Sequence, residues 1–150
     1  MALTADQKQL LKKLRTVARQ LGEHGSSLTS LIGELSACDI LNMRWQPSKG
    51  YDCVDGDGKK VEIKTRRDSK GGQVNPLGRM GRFGNRDKYK FNYGLFVELE
   101  PTFNVRAIYR LGKTAIERLE QKERPGRGLH IHSFIAHKAN MRVFAAKTTK

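Results

Sequence analysis

Tyr51-Asp52-Cys53-Val54-Asp55-Gly56-Asp57-Gly58-Lys59-Lys60-Val61-Glu62-Ile63-Lys64-Thr65-Arg66 is the stretch on which the fold turns. Residues 51–54 and 60–66 read as two strands, and Asp55-Gly56-Asp57-Gly58 between them is a hairpin signal. Along the second strand Val61, Ile63 and Thr65 point to one face, and Glu62, Lys64 and Arg66 to the other. A loop made of Gly56, Asp57 and Gly58 pairs Asp55 with Lys59, Cys53 with Val61 and Asp52 with Glu62, leaving Tyr51 opposite Ile63. A two-residue Asp57-Gly58 turn would shift the register by one and turn Asp52 away from Glu62. The first register gathers the apolar pairs on one face, and the hydrophobic pattern favours it. On its own a Glu-x-Lys strand is a half-exposed face with a weak ion pair. Asp52 changes that reading, because two carboxylates facing each other repel unless positive charge lies between them. A hard divalent cation and Lys64 would supply it.

Working outward, Thr4 and Gln7 have capping-box spacing and open a helix from about Ala5 to Leu21, with Leu10, Leu11, Leu14, Val17, Ala18 and Leu21 as its apolar stripe. Gly22 and Gly25 end this N-terminal segment, residues 1–25. A second helix runs from after Ser27 to about Met43, with Leu28, Leu31, Ile32 and Leu35 facing inward. Glu34 falls inside that helix's apolar arc, between Leu41 and Ile32. There it is either a carboxylate at the border of the stripe or one aimed into a cleft where a metal offsets its burial. Phe91 to Leu99 and Val105 to Leu111 read as a second antiparallel pair, and Thr114 opens a short helix to about Lys122. Leu129 to His132 is a possible short strand, and Ser133 caps a last helix through about Phe144. The expected fold is one α/β domain over residues 1–150, with a central mixed sheet of about four to five strands flanked by helices.

The chain of 150 residues carries 29 Lys and Arg against 15 Asp and Glu, a net charge of +14. That charge is the footprint of a protein that meets polyanions. The bases cluster between Lys59 and Lys90, and residues 68–90, rich in glycine, read as a long, basic, flexible loop. Nucleic acid fits this stretch better than a membrane surface, since no amphipathic helix runs through it. No apolar run approaches the roughly 20 residues of a membrane span, and the first residues lack the apolar core of a signal peptide. Cys38 and Cys53 have no metal-pair spacing and suit small, reduced core residues, so a cytoplasmic protein is expected. Other motifs fail on their own terms. Arg66 occupies the place of an EF-hand's bidentate acid, and His130, His132 and His137 lack a completing ligand. Gly112-Lys113-Thr114 lacks the upstream glycine of a phosphate loop.

Glu34 on a helix, Asp52 on a strand and Glu62-Ile63-Lys64 on the next resemble the PD-(D/E)xK nuclease superfamily, over roughly residues 28–111. The helix-borne Glu is similar to the arrangement in Holliday-junction resolvases and several restriction-type enzymes. The proline that often precedes the aspartate is absent, with Gly50-Tyr51 in its place. The resemblance implies a restriction-endonuclease-like core and Mg²⁺-dependent endonuclease activity on DNA, in restriction, phage biology, repair or recombination, with Mn²⁺ as a substitute metal. It implies that Asp52, Glu62 and the backbone carbonyl of Ile63 hold Mg²⁺, that Glu34 binds a metal-bound water or a second metal, and that Lys64 orients or deprotonates the attacking water. A 5′-phosphate product would follow. Arg66, Arg67, Lys70, Arg79, Arg82, Arg86 and Lys88 would contact the phosphate backbone. Phe83, Tyr89 and Phe91 could stack on bases, although Phe91 at a strand start suits the core. A non-catalytic nucleic-acid-binding module or an RNase on the same scaffold are the alternatives. Cutting both strands would need two sites on a two-fold axis, hence a possible homodimer through the first helix or the C-terminal helix.

Overall fold

The computed structural model describes residues 3–21, 27–68, 78–84, 88–123 and 127–147. The elements are α1 (Ala5–Leu21), α2 (Leu28–Leu41), β1 (Arg44–Ser48), β2 (Tyr51–Val54), β3 (Lys60–Arg67), β4 (Tyr93–Leu99), β5 (Val105–Gly112), α3 (Lys113–Gln121), α4 (Ile131–Ile135) and β6 (Met141–Ala145). The protein is α/β: one six-stranded mixed sheet lies in sequence order, flanked by helices. Every neighbouring pair is antiparallel except β3 and β4, which run parallel from Val61↔Tyr93 to Arg67↔Leu99. All seven residues of β4 are buried, the mark of a central strand covered on both faces.

The hairpin between β2 and β3 has the three-residue loop. Cys53 pairs with Val61 and Val54 with Lys60, and Asp55 N–H donates to the Lys59 carbonyl at 2.9 Å. Asp55 Oδ1 accepts from the N–H groups of Asp57 and Lys59, both at 2.9 Å. Gly58, at φ 80°, supplies the left-handed residue that closes such a loop.

One face of the sheet packs against α2, around Ala37, Cys38, Cys53, Val61, Ile63, Leu95, Val97 and Ile108. Small residues of α2 make the closest part of this contact, with Ile32 and Leu41 partly buried against the same cluster. Gly33, Glu34, Ala37 and Cys38 are buried, whereas Leu28, expected inward, is 53 % exposed. Gly33 sits so close to β3 that an added Cβ would collide with the Thr65 side chain. Helix and strand approach only because nothing projects there. The other face carries α3, α4 and the stretch leading into β4, around Met80, Phe83, Tyr89, Phe91, Phe96, Ile116, Leu129 and Phe134.

Three expectations are corrected. The sheet has six strands rather than four to five, because β1 forms despite Pro47. As an edge strand, β1 tolerates the missing N–H. The C-terminal helix through Phe144 does not exist: α4 ends at Ile135, a turn follows in which Asn140 N–H donates to the His137 carbonyl at 2.9 Å, and β6 then covers the edge of β5. Leu129 to His132 is not a strand; it contributes one isolated bridge, Arg79↔His130, and the start of α4. Cys38 and Cys53 are free and buried, as expected.

Gly33→Ala should destabilise the protein by about 1–3 kcal/mol, the usual cost of overpacking, read as a lower urea midpoint with an unchanged slope. Adding Thr65→Ala should recover part of that loss. Additive or worse behaviour of the pair would mean that α2 is not seated on Thr65.

Candidate active site

β2 and β3 stop pairing as β2 is traced back to Asp52. The ladder holds at Val54↔Lys60 and Cys53↔Val61 and goes no further. In place of the next backbone partner, Asp52 Oδ2 accepts from Ile63 N–H at 2.8 Å. The side chain thus takes over a bond that the splayed strand no longer makes. The N–H and C=O of one strand residue point to the same side, so the Ile63 carbonyl faces the same gap.

Glu62 projects beside it. Its carboxylate and that of Asp52 are close enough to share a hydrogen bond when one is protonated. Lys64 Nζ lies 3.3 Å from Glu62 Oε1, with the two side chains 23 % and 13 % exposed. Burial, followed by repulsion from Asp52, pushes the Glu62 carboxyl up to about 7, although Lys64 pulls the other way. Burial also raises Asp52, against the Ile63 N–H and Lys64. One proton therefore belongs to the pair near neutral pH.

Glu34 approaches from α2. It is 6 % exposed, it accepts a bond from Trp45 Nε1 at 3.2 Å, and its charge adds to the repulsion felt by Glu62. The sequence placed Glu34 off the solvated face; the structure places it there and adds Trp45, which sequence reasoning missed. Trp45 lies on the unrecognised β1, so no periodicity pointed to it.

The stretch 78–84 forms a wall beside Lys64. The Lys64 ammonium stands 5.7 Å from the centre of the Phe83 ring, and its side chain runs against Gly81. Glu120 of α3, 1 % exposed, accepts from the N–H groups of Phe83 at 2.7 Å and Gly84 at 3.0 Å. Arg66 donates through Nε and Nη2 to the Arg79 carbonyl at 3.0 and 2.8 Å. Arg79 Nη1 in turn meets Glu123 at 3.1 Å and the Gly128 carbonyl at 2.7 Å.

These contacts correct the picture of residues 68–90 as a loose loop: where described, the segment is braced and packed. Phe83 is 5 % exposed and stacks on Phe134 at 5.6 Å, so it is core and not a platform for bases. Tyr89 and Phe91 are buried too. Arg67 donates to the Pro101 carbonyl at 3.0 and 2.6 Å and covers the Phe103 ring at 4.1 Å. Arg82 Nε donates to the Gly84 carbonyl at 3.2 Å, and Lys88 is exposed. Lys70 and Arg86 lie outside the described residues. Two lysines outside the predicted set flank the residues leading into Asp52: Lys60 Nζ sits 5.1 Å from the Tyr51 ring centre, and the Lys90 side chain lies against Gly50.

Among the described residues no three His, Cys, Asp or Glu side chains form a ready metal cage. A Mg²⁺ site needs less: it takes one or two carboxylates and fills its other positions with water and phosphate. Asp52, Glu62 and the Ile63 carbonyl are hard oxygen donors of that kind. The raised carboxyl pair also fits a cation that would relieve its repulsion. Comparison with protein-family models and with curated proteins finds no match to this chain.

Stability should report the strained pair. Between Glu62's ordinary 4.5 and about 7, the folded protein keeps a proton that the unfolded chain releases, so stability falls as pH rises through that window. The metal-free urea midpoint should drop from pH 5 to pH 8, and Glu62→Gln, which cannot ionise, should flatten that drop. Parallel pH profiles for the two proteins would show that Glu62 ionises freely.

Proposed function

We propose that the chain is a Mg²⁺-dependent endonuclease of PD-(D/E)xK type that hydrolyses DNA phosphodiesters, with Asp52, Glu62 and Lys64 as its catalytic residues. The observation that carries this reading is the break in the β2–β3 ladder. It leaves Asp52, Glu62 and the Ile63 carbonyl around one gap with an ammonium beside them. Bound there by these three oxygen donors, Mg²⁺ would neutralise charge on the phosphate and lower the pKa of a coordinated water.

The chain's own residues divide the remaining work. Lys64, held by Glu62 and faced by the Phe83 ring, orients the attacking water and stabilises charge building on the phosphate. Asp52 keeps the gap open by capping Ile63. Glu34, fixed by Trp45, orders water on the α2 side. Lys60 and Lys90, exposed on the border leading into Asp52, meet the nucleic-acid backbone.

The deciding experiment is cleavage of supercoiled plasmid, branched DNA, single-stranded DNA and RNA with Mg²⁺, Mn²⁺ or EDTA. DNA should be cut with either metal and spared in EDTA. Asp52→Ala and Glu62→Ala should each lose activity by about 10²-fold or more while still binding DNA. Lys64→Ala should lose comparably, with Lys64→Arg a poor substitute because a planar fork does not replace a compact ammonium. Undiminished cleavage by either carboxylate variant overturns the assignment, and binding without cutting makes the protein a non-catalytic module. Cleavage of RNA alone makes it an RNase.

Two further measurements do not depend on turnover. Mg²⁺ should raise the melting temperature more at pH 8 than at pH 5, because the ionised pair binds it, and Asp52→Ala should abolish the shift. Lys60→Ala combined with Lys90→Ala should reduce the salt slope of DNA binding by up to about 1.8, at roughly 0.9 per phosphate contact. An unchanged slope would place the backbone elsewhere.

A further inference from the structure

The sheet face that carries Glu62 and Lys64 opens, further across, into a second hollow. Register sets two rows of side chains on that face. Lys64, Phe96, Tyr109 and Arg142 form one row across β3, β4, β5 and β6, and Arg66, Glu98, Ala107 and Ala145 form the next. The two alanines leave the floor low over β5 and β6, and α4 roofs it without filling it. The result is a cleft of about 450 Å³ between α4 and the sheet, within the about 300–1,000 Å³ usual for small-molecule sites. None of its lining residues belongs to the carboxylate gap. Helix α4 turns Phe134 toward Phe83 and Phe96, at 5.6 and 6.4 Å, and Ile131 and Ile135 toward the cleft.

The chemistry of the cleft changes from floor to rim. Glu98 and Ala107, 7 and 4 % exposed, lie at the bottom, whereas His132 and Arg142 are exposed at the mouth. Arg106 donates through Nη1 to Glu98 at 3.0 Å and through Nη2 to Asp68 at 3.1 Å. A carboxylate accepts up to about four hydrogen bonds, so Glu98 can serve Arg106 and a ligand together. Simple ligands fit this lining badly. A bare anion would lie against Glu98, a cation would lie against Arg106 and Arg142, and a wholly apolar molecule would desolvate all three. The molecule that fits has hydrogen-bond donors at one end, a flat body to lie between aliphatic walls and an anion at the other end. A nucleotide is built that way. Among the bases, guanine carries two adjacent N–H donors on its pairing edge, the match for a single carboxylate. We propose that this cleft binds an unpaired guanine nucleotide, its pairing edge on Glu98, its ring against Ile131 and Ile135, and its phosphate at the Arg142 guanidinium and the His132 imidazole. The proposal stands on α4, β5 and β6, whether or not the chain cuts nucleic acid.

Titration of the full chain with guanosine 5′-monophosphate in EDTA tests it, alongside adenosine 5′-monophosphate, ribose 5-phosphate and inorganic phosphate. The guanine nucleotide should bind with a dissociation constant of about 1 mM or below, at least about tenfold tighter than the other three. Ala145→Leu, which fills the hollow from the exposed edge strand, should weaken that binding about tenfold or more and leave the melting temperature unchanged. Glu98→Gln should erase the preference for guanine over adenine. Arg142→Ala, at the exposed rim, should weaken both nucleotides alike. An oligothymidylate carrying one guanosine that displaces the mononucleotide, where plain oligothymidylate does not, makes the ligand a base within a strand; no displacement by either makes it the free nucleotide. Absence of binding by guanosine 5′-monophosphate up to about 10 mM overturns the proposal, and so does undiminished binding to Ala145→Leu. Inorganic phosphate binding as tightly as the nucleotide would make the cleft an anion site only, which also overturns it.

Discussion

Parallel strands cannot be joined by a tight turn. The chain leaving β3 at Arg67 must return along the sheet before β4 can start at Tyr93 in the same direction. Most proteins make this return with a helix, which satisfies its own backbone. Here the described part of the crossover is irregular, so other elements must supply its partners. Glu120 accepts the N–H groups of Phe83 and Gly84, Arg66 caps the Arg79 carbonyl, and the backbone of residues 78–80 bonds to Leu129 and Ile131. A carboxylate as deeply buried as Glu120 is costly unless it is bonded in this way. The crossover consequently becomes a fixed wall over the Glu62–Lys64 face, and the aromatic ring it delivers, Phe83, sets one boundary of the lysine's surroundings.

Opposite that wall lies the other departure from regularity. A ladder continued through Asp52 would have cost the gap, since the backbone of β2 would occupy it. The carboxylate replaces the lost backbone acceptor for Ile63 and brings a negative charge against Glu62. Asp52, Glu62 and Glu34 with a single ammonium make an arrangement that burial alone would not favour, as the raised Glu62 shows. Perturbed groups of this kind, gathered where strands splay, are more often found in functional sites than in plain cores. The close seating of α2 through Gly33 brings Glu34 near enough to take part.

The period-2 alternation of β3 and the Gly58 loop made the hairpin register legible as far as Cys53↔Val61; the expected pairs Asp52–Glu62 and Tyr51–Ile63 do not join the ladder, and Asp52 meets β3 through its side chain instead. The placement of Glu34 away from solvent was legible too, because on the helix wheel it falls between Leu41 and Ile32, although α2 as a whole is apolar nearly all round. Which α2 residues touch the sheet was not, since hydrophobicity weighs Leu28 above Gly33, and close packing prefers the reverse. β1 was hidden by Pro47, a residue that argues against a strand unless one knows it lies at an edge. β6 was hidden by a helical reading of Ser133 onward, where the free edge of β5 decided the outcome. The packing of Phe83 was invisible locally: glycines and arginines around it suggested exposure, whereas Glu120 and Phe134, far along the chain, bind its N–H and stack on its ring.

The basic stretch shows why clustered charge in a sequence is not the same as available charge. Its arginines and its lysines have divided their tasks by chemistry. The guanidinium fork matches a carbonyl or carboxylate with two or more bonds, and Arg66, Arg67 and Arg79 use theirs to brace Arg79, Pro101, Glu123 and Gly128. Arg106 does the same across the sheet, binding Glu98 and Asp68 at 3.0 and 3.1 Å. Lysine, a point charge on a flexible stem, braces poorly, and Lys59, Lys60, Lys88 and Lys90 remain exposed. Among the described residues of this stretch, exposed lysines therefore gather at the hairpin and the β4 approach, Lys60 beside Tyr51 and Lys90 beside Gly50, next to where Asp52 leaves the ladder. Arg66 and Arg79, which draw the eye in the sequence as free cations, hold the wall in place instead.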